Sequence, residues 1–500
     1  MKKKASILFL LRILKLLVGI FNLSLAAKYF GISEQRDIWL LAFNGVVVLD
    51  MALWGPINET FRTKFILIKE QEGEEKALQQ TRSLLFFTVL ISIFIAVILF
   101  MGASTWAKML APHMPANQAL GLSKMLMVLA PSFLISQLTL ILISILNAYQ
   151  SFYIPEISSF LSALMNLGLL MLLAPIIGIY SLAIAYYIGL ILLLILLLHQ
   201  LQKKQVVIFR SQRIVFSDFK LFFLYAIPFF LPYFLGQLNG LVEKSLASTI
   251  GEGFVSIVDY GRKFPDMALT VLTSVLTTMM VPALTSAFAR HDQISLHDSF
   301  KQIFQLGLII TGLLVAFLNT SATPLIGLFY DKGTIASTAL QSISKLAMQY
   351  SWAAFGVFLY LITGLALLAT DQRKQYALFG MLAQAVMIIF NWLLVSKLGI
   401  HVFPISMLVA HLLSAACMLT YLPYPKKNFL VLLVKYTTFI LASILPCILV
   451  SPYISLIENY LLQLCLNASI IILFLLVNSF LFRIEEREVL LRLFRRFIKN

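Results

Sequence analysis

Apolar runs of about 20 residues recur from end to end of this chain, and polar residues gather in short stretches between them. A run of that length, wound as a helix, crosses roughly 30 Å of hydrocarbon. The pattern predicts helices over 5–27, 37–61, 84–106, 122–147, 156–174 and 178–199, followed by a polar linker, QLQKKQVVIFRSQR, over 200–213. A second series follows over 219–246, 254–288, 302–320, 339–368, 376–396 and 402–422, with two further helices over 430–451 and 458–482. The fold class read from this pattern is an all-α polytopic membrane protein with about 14 transmembrane helices.

Composition narrows the class. Apolar residues make up 60% of the 500 positions and charged residues 12%. A mean hydropathy of +0.92 could not be folded into water without exposing large apolar surface. No stretch is long and polar enough for a separate soluble domain. The opening MKKK and its apolar continuation have the outline of a secretory signal, with Ser24-Leu25-Ala26 as the cleavage site. Arg12 and Lys15 interrupt that apolar region and the rest of the chain is polytopic, so it reads as the first span. Cys417, Cys447 and Cys465 lie inside apolar runs without metal or redox spacing and read as packing residues. The sequon Asn467-Ala468-Ser469 lies within an apolar run and reads as chance.

Charge adds orientation. Lys2 to Lys4, Lys69, Lys76, Arg82, Lys203, Lys204, Arg210, Arg213, Arg290, Arg373, Lys374, Lys426 and Lys427 fall in alternate loops, as do the cations of the tail from Arg483 to Lys499. The opposite loops hold scattered cations such as Lys28, Arg36, Lys108, Lys332 and Lys397. The positive-inside rule places both termini in the cytoplasm and requires an even number of spans. The net charge of +16 is thus mostly topology. Cations in short loops beside spans have anionic lipid headgroups as partners, not nucleic acid. The tail RIEEREVLLRLFRRFIKN interleaves Arg492, Arg495, Arg496 and Lys499 with Leu490, Leu493, Phe494 and Phe497, and reads as an amphipathic helix on the cytoplasmic leaflet.

Two weak internal matches share nearly one offset. GIYSLAIA (178–185) and GIHVFPIS (399–406) stand 221 positions apart, each after an apolar helix carrying an asparagine, Asn166 or Asn391. Gly31 precedes Asp37 by six residues, and Gly253 precedes Asp259 by six, at an offset of 222. The expectation is two six-helix lobes: 1–200, and 219–425 after a linker at 201–218. Helices 13 and 14 over 426–482 and a tail over 483–500 complete the chain. Parallel repeats of this kind are a transporter architecture, with a substrate path between lobes. Chance similarity among apolar segments is the competing reading.

Ionisable residues inside the membrane are costly and default to functional candidates. Arg12 and Lys15 lie in the first helix, where snorkelling toward the cytoplasm is the plainer reading. Asp50 lies in the second, followed by Trp54-Gly55-Pro56, where Gly-Pro should loosen or end the helix. In the seventh, Pro228 and Pro232 should kink the helix, and Gln237, Gly240 and Lys244 on successive turns suggest a polar seam, with a Glu243–Lys244 surface pair as the bland alternative. The eighth carries VDYGRKFPD (258–266), whose Asp259, Arg262, Lys263 and Asp266 share one helix face. Either the stripe neutralises itself, or its cations anchor an anion while Asp259 and Asp266 hold them in its absence. A helix over 254–288 would be about 50 Å long, which could place the stripe at the outer interface.

Several segments together resemble the MviN/MurJ-type lipid II flippases of the MOP transporter superfamily. They are ILNAYQSFYIPEISSFLSALMN (145–166), GQLNGLVEKSLAS (236–248), VDYGRKFPDMALTVLTSVLTTMMVPALTSAF (258–288) and PLIGLFYDKGTIAST (324–338). With the fourteen-span plan, the resemblance covers nearly the whole chain. It implies movement of a polyprenyl-diphosphate-linked glycan across the bacterial cytoplasmic membrane by alternating access. It also implies a cationic cavity for the diphosphate and no enzymatic step or cofactor. Family polar positions fall on Asp37, Gln237, Asn239, Glu243, Lys244 and Asp259. The family's cavity arginines fall instead on Leu16, Asn22, Asp50 and Tyr260, and Lys263 stands where an acid is usual.

The substrate-contact candidates are therefore Lys263, Arg262, Tyr260, Asn22, Asp37, Asn44, Asp50, Gln237, Asn239, Glu243 and Lys244, with Asp259 and Asp266 as ion-pair or coupling acids. Lysine lacks arginine's planar fork for two phosphate oxygens, so a related lipid-linked unit of O-antigen or exopolysaccharide is a second reading. A multidrug or cation antiporter of the same superfamily is a third; Asp50 favours it, while helices 13 and 14, Arg262 and Lys263 favour a lipid-linked glycan. A polytopic glycosyltransferase would need chemistry on a sizeable outer loop, and here those loops are short. No G-x-x-x-x-G-K-[ST] loop for ATP is present.

Overall fold

The computed structural model describes residues 2–206, 214–422 and 424–485. Sixteen α-helices and one short 3-10 turn account for nearly all of them, with no strand among the described residues. Arg210 and Arg213 of the linker, and the part of the tail beyond Glu485 expected as an amphipathic helix, lie outside them.

Contacts divide the chain into two compact units, Met1–Ser256 with Lys332–Thr334, and the remainder. The first unit contains α1 (Lys2–Phe30), α2 (Glu34–Glu72), α3 (Glu74–Met101), α4 (Ala103–Leu110), α5 (Ala116–Leu129), α6 (Ser132–Ala148), α7 (Tyr153–Ile177), α8 (Tyr180–Lys203), α9 (Phe216–Ile250) and the first residues of α10 (Phe254–Ala289). Its spine is α2, against which α3, α5, α6 and α9 pack. Gly55-Pro56 does not end this helix, contrary to the sequence expectation. Proline costs one backbone hydrogen bond there, but Pro56, Ile57 and Phe61 are buried. Thr60 also donates its hydroxyl to the Pro56 carbonyl at 2.8 Å. Packing therefore outweighs the local defect.

Two predicted spans are broken instead. The third ends at Met101 and restarts as α4 after Gly102. The fourth is α5 and α6, bent by 43° across Ala130-Pro131.

The compact boundary also falls one helix later than the expected lobe boundary, because α9 packs with the first unit. Phe216 and Phe219 lie 5.2 and 5.7 Å from the Phe87 ring of α3, and Phe222 lies 5.4 Å from Phe61 of α2. Asp218 accepts a hydrogen bond from Ser83 at 2.9 Å. An aromatic-rich helix start has found its partners on α2 and α3.

The second unit holds the rest of α10, α11 (Gln293–Tyr330), α12 (Ser337–Ala369), α13 (Arg373–Leu398), a 3-10 turn (Gly399–His401), α14 (Val402–Leu419), α15 (Lys426–Ile454) and α16 (Tyr460–Leu481). Here α12 packs on α11 and α14, and α15 and α16 cover α11. Phe304 stacks on Phe358 of α12 and Phe429 of α15, at 6.1 and 4.7 Å. Beyond α16, Lys301 of α11 holds Glu485 at 2.8 Å, and that hydrogen bond keeps the Glu485 carboxyl below its usual range.

Eleven helical stretches among the described residues are long and apolar enough to cross a membrane, or twelve when the bent α5–α6 pair is one span. This count covers the described residues alone and takes Arg373–Leu419 once although it contains both α13 and α14. Both matched glycines of the suspected repeat end a helix in the same unusual backbone state: Gly178 at φ 58°, ψ −138° and Gly399 at φ 55°, ψ −141°. A side chain is strongly disfavoured there. The asparagines do not share a register, standing at 166 and 391 before glycines at 178 and 399.

Candidate functional site

The first-unit candidates divide into groups whose bonds are satisfied by the fold and groups left accessible. Asp37 belongs to the former. It is 4% exposed, and its two oxygens accept from Gly253 N–H at 2.6 Å, Ser256 N–H at 2.8 Å and the Ser256 hydroxyl. The carboxylate thus caps the start of α10, satisfying backbone donors that a helix N-terminus leaves open. Its place among substrate contacts is withdrawn, because a carboxylate so saturated has no free face.

Asp50 is also removed from that list. It is 5% exposed and accepts from Ser136 Oγ and Gln137 Nε2 of α6, both at 2.6 Å. Gln137 Oε1 in turn accepts from Asn58 at 2.9 Å. Asn44 donates to its own helix, at the Leu40 carbonyl, at 2.7 Å. Asn22 is half-buried on α1. Arg12 does not simply snorkel: its Nε meets Glu156 of α7 at 2.9 Å, and Lys15 donates to Ser159 one turn on. Arg36, expected among loop cations, is 2% exposed in the first turn of α2.

On α9, Asn239 and Glu243 are buried, at 6% and 3% exposure, while Gln237 and Lys244 are half-buried. Neither Glu243 nor Lys244 is on an exposed surface, as the alternative considered from sequence would have it. Beside this seam, Gly236 and Gly240 face open space. A separate cavity of about 330 Å³ lies between α2, α4 and α9, lined by residues such as Val48, Trp106, Phe234 and Leu241. It is apolar, and none of the predicted contacts lines it.

In the second unit the stripe on α10 resolves into distinct roles. Tyr260 is fully buried, its ring 4.6 Å from that of Tyr330 in α11. It is a core residue, and its assignment as a substrate contact is corrected accordingly. The neighbouring Gly261 lies against Leu346 of α12. Arg262 Nε pairs with Asp266 one turn on, at 2.8 Å. Its guanidinium also lies 5.7 Å from the Tyr350 ring of α12, within cation–π range. Lys263 is half-buried and makes no hydrogen bond or ion pair with any described residue. The self-neutralising reading of the stripe thus holds for Arg262 and Asp266, and Lys263 remains as a cation able to meet an anion. Asp259 is half-buried on the same helix.

The residues missed from sequence are the partners: Ser136 and Gln137, Glu156 and Ser159, and Tyr350. Gln137 is an amide within an apolar run, but its pairing across 87 positions is written in no local pattern.

Residues 26–475 match the family model described as lipid II flippase MurJ. The chain is 24% identical over 406 residues to a lipid II flippase MurJ from Burkholderia cenocepacia, covering 78% of this chain and 76% of that protein. Its fold is similar to a lipid II flippase MurJ structure in an inward closed conformation, with a TM-score of 0.80 at 19% identity over 97% of this chain and 99% of that one. An inward-facing multidrug resistance MATE transporter of the MOP superfamily aligns with a TM-score of 0.62 at 13% identity, covering 84% and 95% of the two chains.

Proposed function

Because this chain belongs to the MurJ family of lipid II flippases, we propose that it moves a polyprenyl-diphosphate-linked peptidoglycan precursor across the cytoplasmic membrane by alternating access. The observation that carries this reading is the family match over residues 26–475. Both termini lie in the cytoplasm on this reading, as the loop charges favour. The protein binds and reorients its cargo without making or breaking a covalent bond.

Lys263 is the residue we assign to the diphosphate. A half-buried ammonium without a carboxylate partner interacts with a phosphate oxygen more strongly than an exposed one, because little water screens it. Arg262 is held by Asp266 and Tyr350, so it contributes field more than direct contact.

One observation favours a second cargo. The positions matching the family's cavity arginines hold Leu16, Asn22, Asp50 and Tyr260 here, and a site with fewer fixed cations suits a different lipid-linked glycan. Complementation separates the two. When a bacterium's essential lipid II flippase is depleted, expression of this chain is expected to restore growth. Failure to do so, with normal membrane expression, selects an O-antigen or exopolysaccharide unit instead.

A further inference from the structure

Asp50 is a buried acid that the flipping site does not use. Among the described residues it has only neutral hydrogen-bonding partners: the Ser136 hydroxyl and the Gln137 amide of α6. Tyr186 of α8 is near enough to interact with it electrostatically. On its own helix, Asn58 reaches it through Gln137, while Glu59 is bonded to Tyr233 of α9 at 3.0 Å. Among the described residues, no lysine, arginine or histidine forms a hydrogen bond or ion pair with Asp50. A carboxylate held in an apolar span without a counter-charge carries a large desolvation cost, which a proton removes.

The site is built to accept that proton. Ser136 Oγ lies 2.6 Å from Asp50 Oδ2 and 3.1 Å from the Phe133 carbonyl of its own helix. With Asp50 ionised, the serine hydrogen points to the carboxylate. When a hydronium delivers its proton to Oδ2 and leaves as water, the new O–H donates to Ser136 Oγ. The serine hydrogen then turns to the Phe133 carbonyl, and Gln137 keeps its bond to Oδ1. Both states are hydrogen-bonded, but the charge-assisted bonds of the ionised state grip α6 more tightly.

That grip sits beside a hinge. Ser136 and Gln137 lie in the second turn of α6, just past Ala130-Pro131, where the α5–α6 span bends by 43°. We propose that Asp50 is a proton-binding site that latches α6 to α2, and that its protonation loosens the latch beside the broken span and couples a proton gradient to the transport cycle. This inference rests on the flippase reading for its transport consequence, not for its chemistry.

The test uses the full-length protein in nanodiscs and in proteoliposomes. Infrared difference spectra between acidic and neutral pH are expected to show the carbonyl band of a protonated carboxylic acid. The band should be lost in Asp50→Asn and shifted in Ser136→Ala, since its position reports the acid's hydrogen bond. If Asp50→Asn leaves the difference spectrum unchanged, the proton site is overturned; if that variant does not fold, an unshifted band in Ser136→Ala overturns it. In proteoliposomes containing lipid II, an imposed pH gradient is expected to change the wild-type flipping rate, and this response should be lost in Asp50→Asn. Retention of the full response overturns the coupling. Wild-type vesicles that move no lipid II under any gradient would sink the cargo assignment, while the infrared result would still decide the proton site.

Discussion

On α10, Lys263 and Tyr260 stand three positions apart, and their surroundings give them opposite uses. Tyr260 is sealed against Tyr330, whereas Lys263 is half-buried and its ammonium has no partner among the described residues. Lys263→Ala is therefore expected to abolish flipping in a leaflet-accessibility assay while membrane insertion stays normal, and Lys263→Arg to retain activity because the charge persists. Full activity of the alanine variant would remove the anion assignment. Tyr260→Arg restores the family's residue type but buries a charge in the core, and should cost about 3–5 kcal/mol, seen as a lower unfolding temperature without tighter lipid II binding. Which way α10 faces could not be read from the stripe alone: i, i+3 and i+4 spacing shows that charges share a face, not what covers it. The same holds for Asp37 and Asp50. Asp50 was legible as an acid in an apolar run and Asp37 through the resemblance, but their saturation by residues 86 and 216 positions away was not.

At the scale of elements, apolar periodicity located the helices because hydrocarbon-length runs leave few alternatives. The breaks were harder. Pro56 is absorbed in an unbroken α2, while Ala130-Pro131 bends its span. Proline sets a local cost in both places, and the packing around it decides whether the helix continues. Glycine is more informative where the backbone is left-handed. Gly178 and Gly399 adopt nearly the same conformation after α7 and α13, which supports a duplicated helix–turn–helix unit. Alanine at either should cost at least about 1–2 kcal/mol, since a Cβ is strained there. Gly168, helical and facing open space, should instead gain up to about 0.5–1 kcal/mol from the same change. Thermal unfolding in detergent checks all three variants. A loss at only one of the two turn glycines would count against a shared turn.

For the whole molecule, the remaining question is how many times the chain crosses the membrane, and α10 decides it. At 36 residues it is about 54 Å long, enough to span the bilayer with turns to spare. The loop charges argue that it crosses. Lys204 belongs to the strongly basic set and Lys332 to the sparse one, so the two should lie on opposite sides. That requires an odd number of spans between them: α9, α10 and α11. Were α10 to stay on one side, only α9 and α11 would intervene, and both lysines would face the same compartment. Single cysteines at these exposed positions, Lys204→Cys and Lys332→Cys, and a third at Arg373→Cys after α12, make the parity measurable with a membrane-impermeant maleimide. In intact cells Lys332→Cys should label, while the other two label only after permeabilisation. Labelling of Lys204→Cys and Lys332→Cys from the same side would remove α10 from the membrane. The lysine assigned to the diphosphate would then lie outside the hydrocarbon, where water and salt screen it and its hold on an anion would be weak.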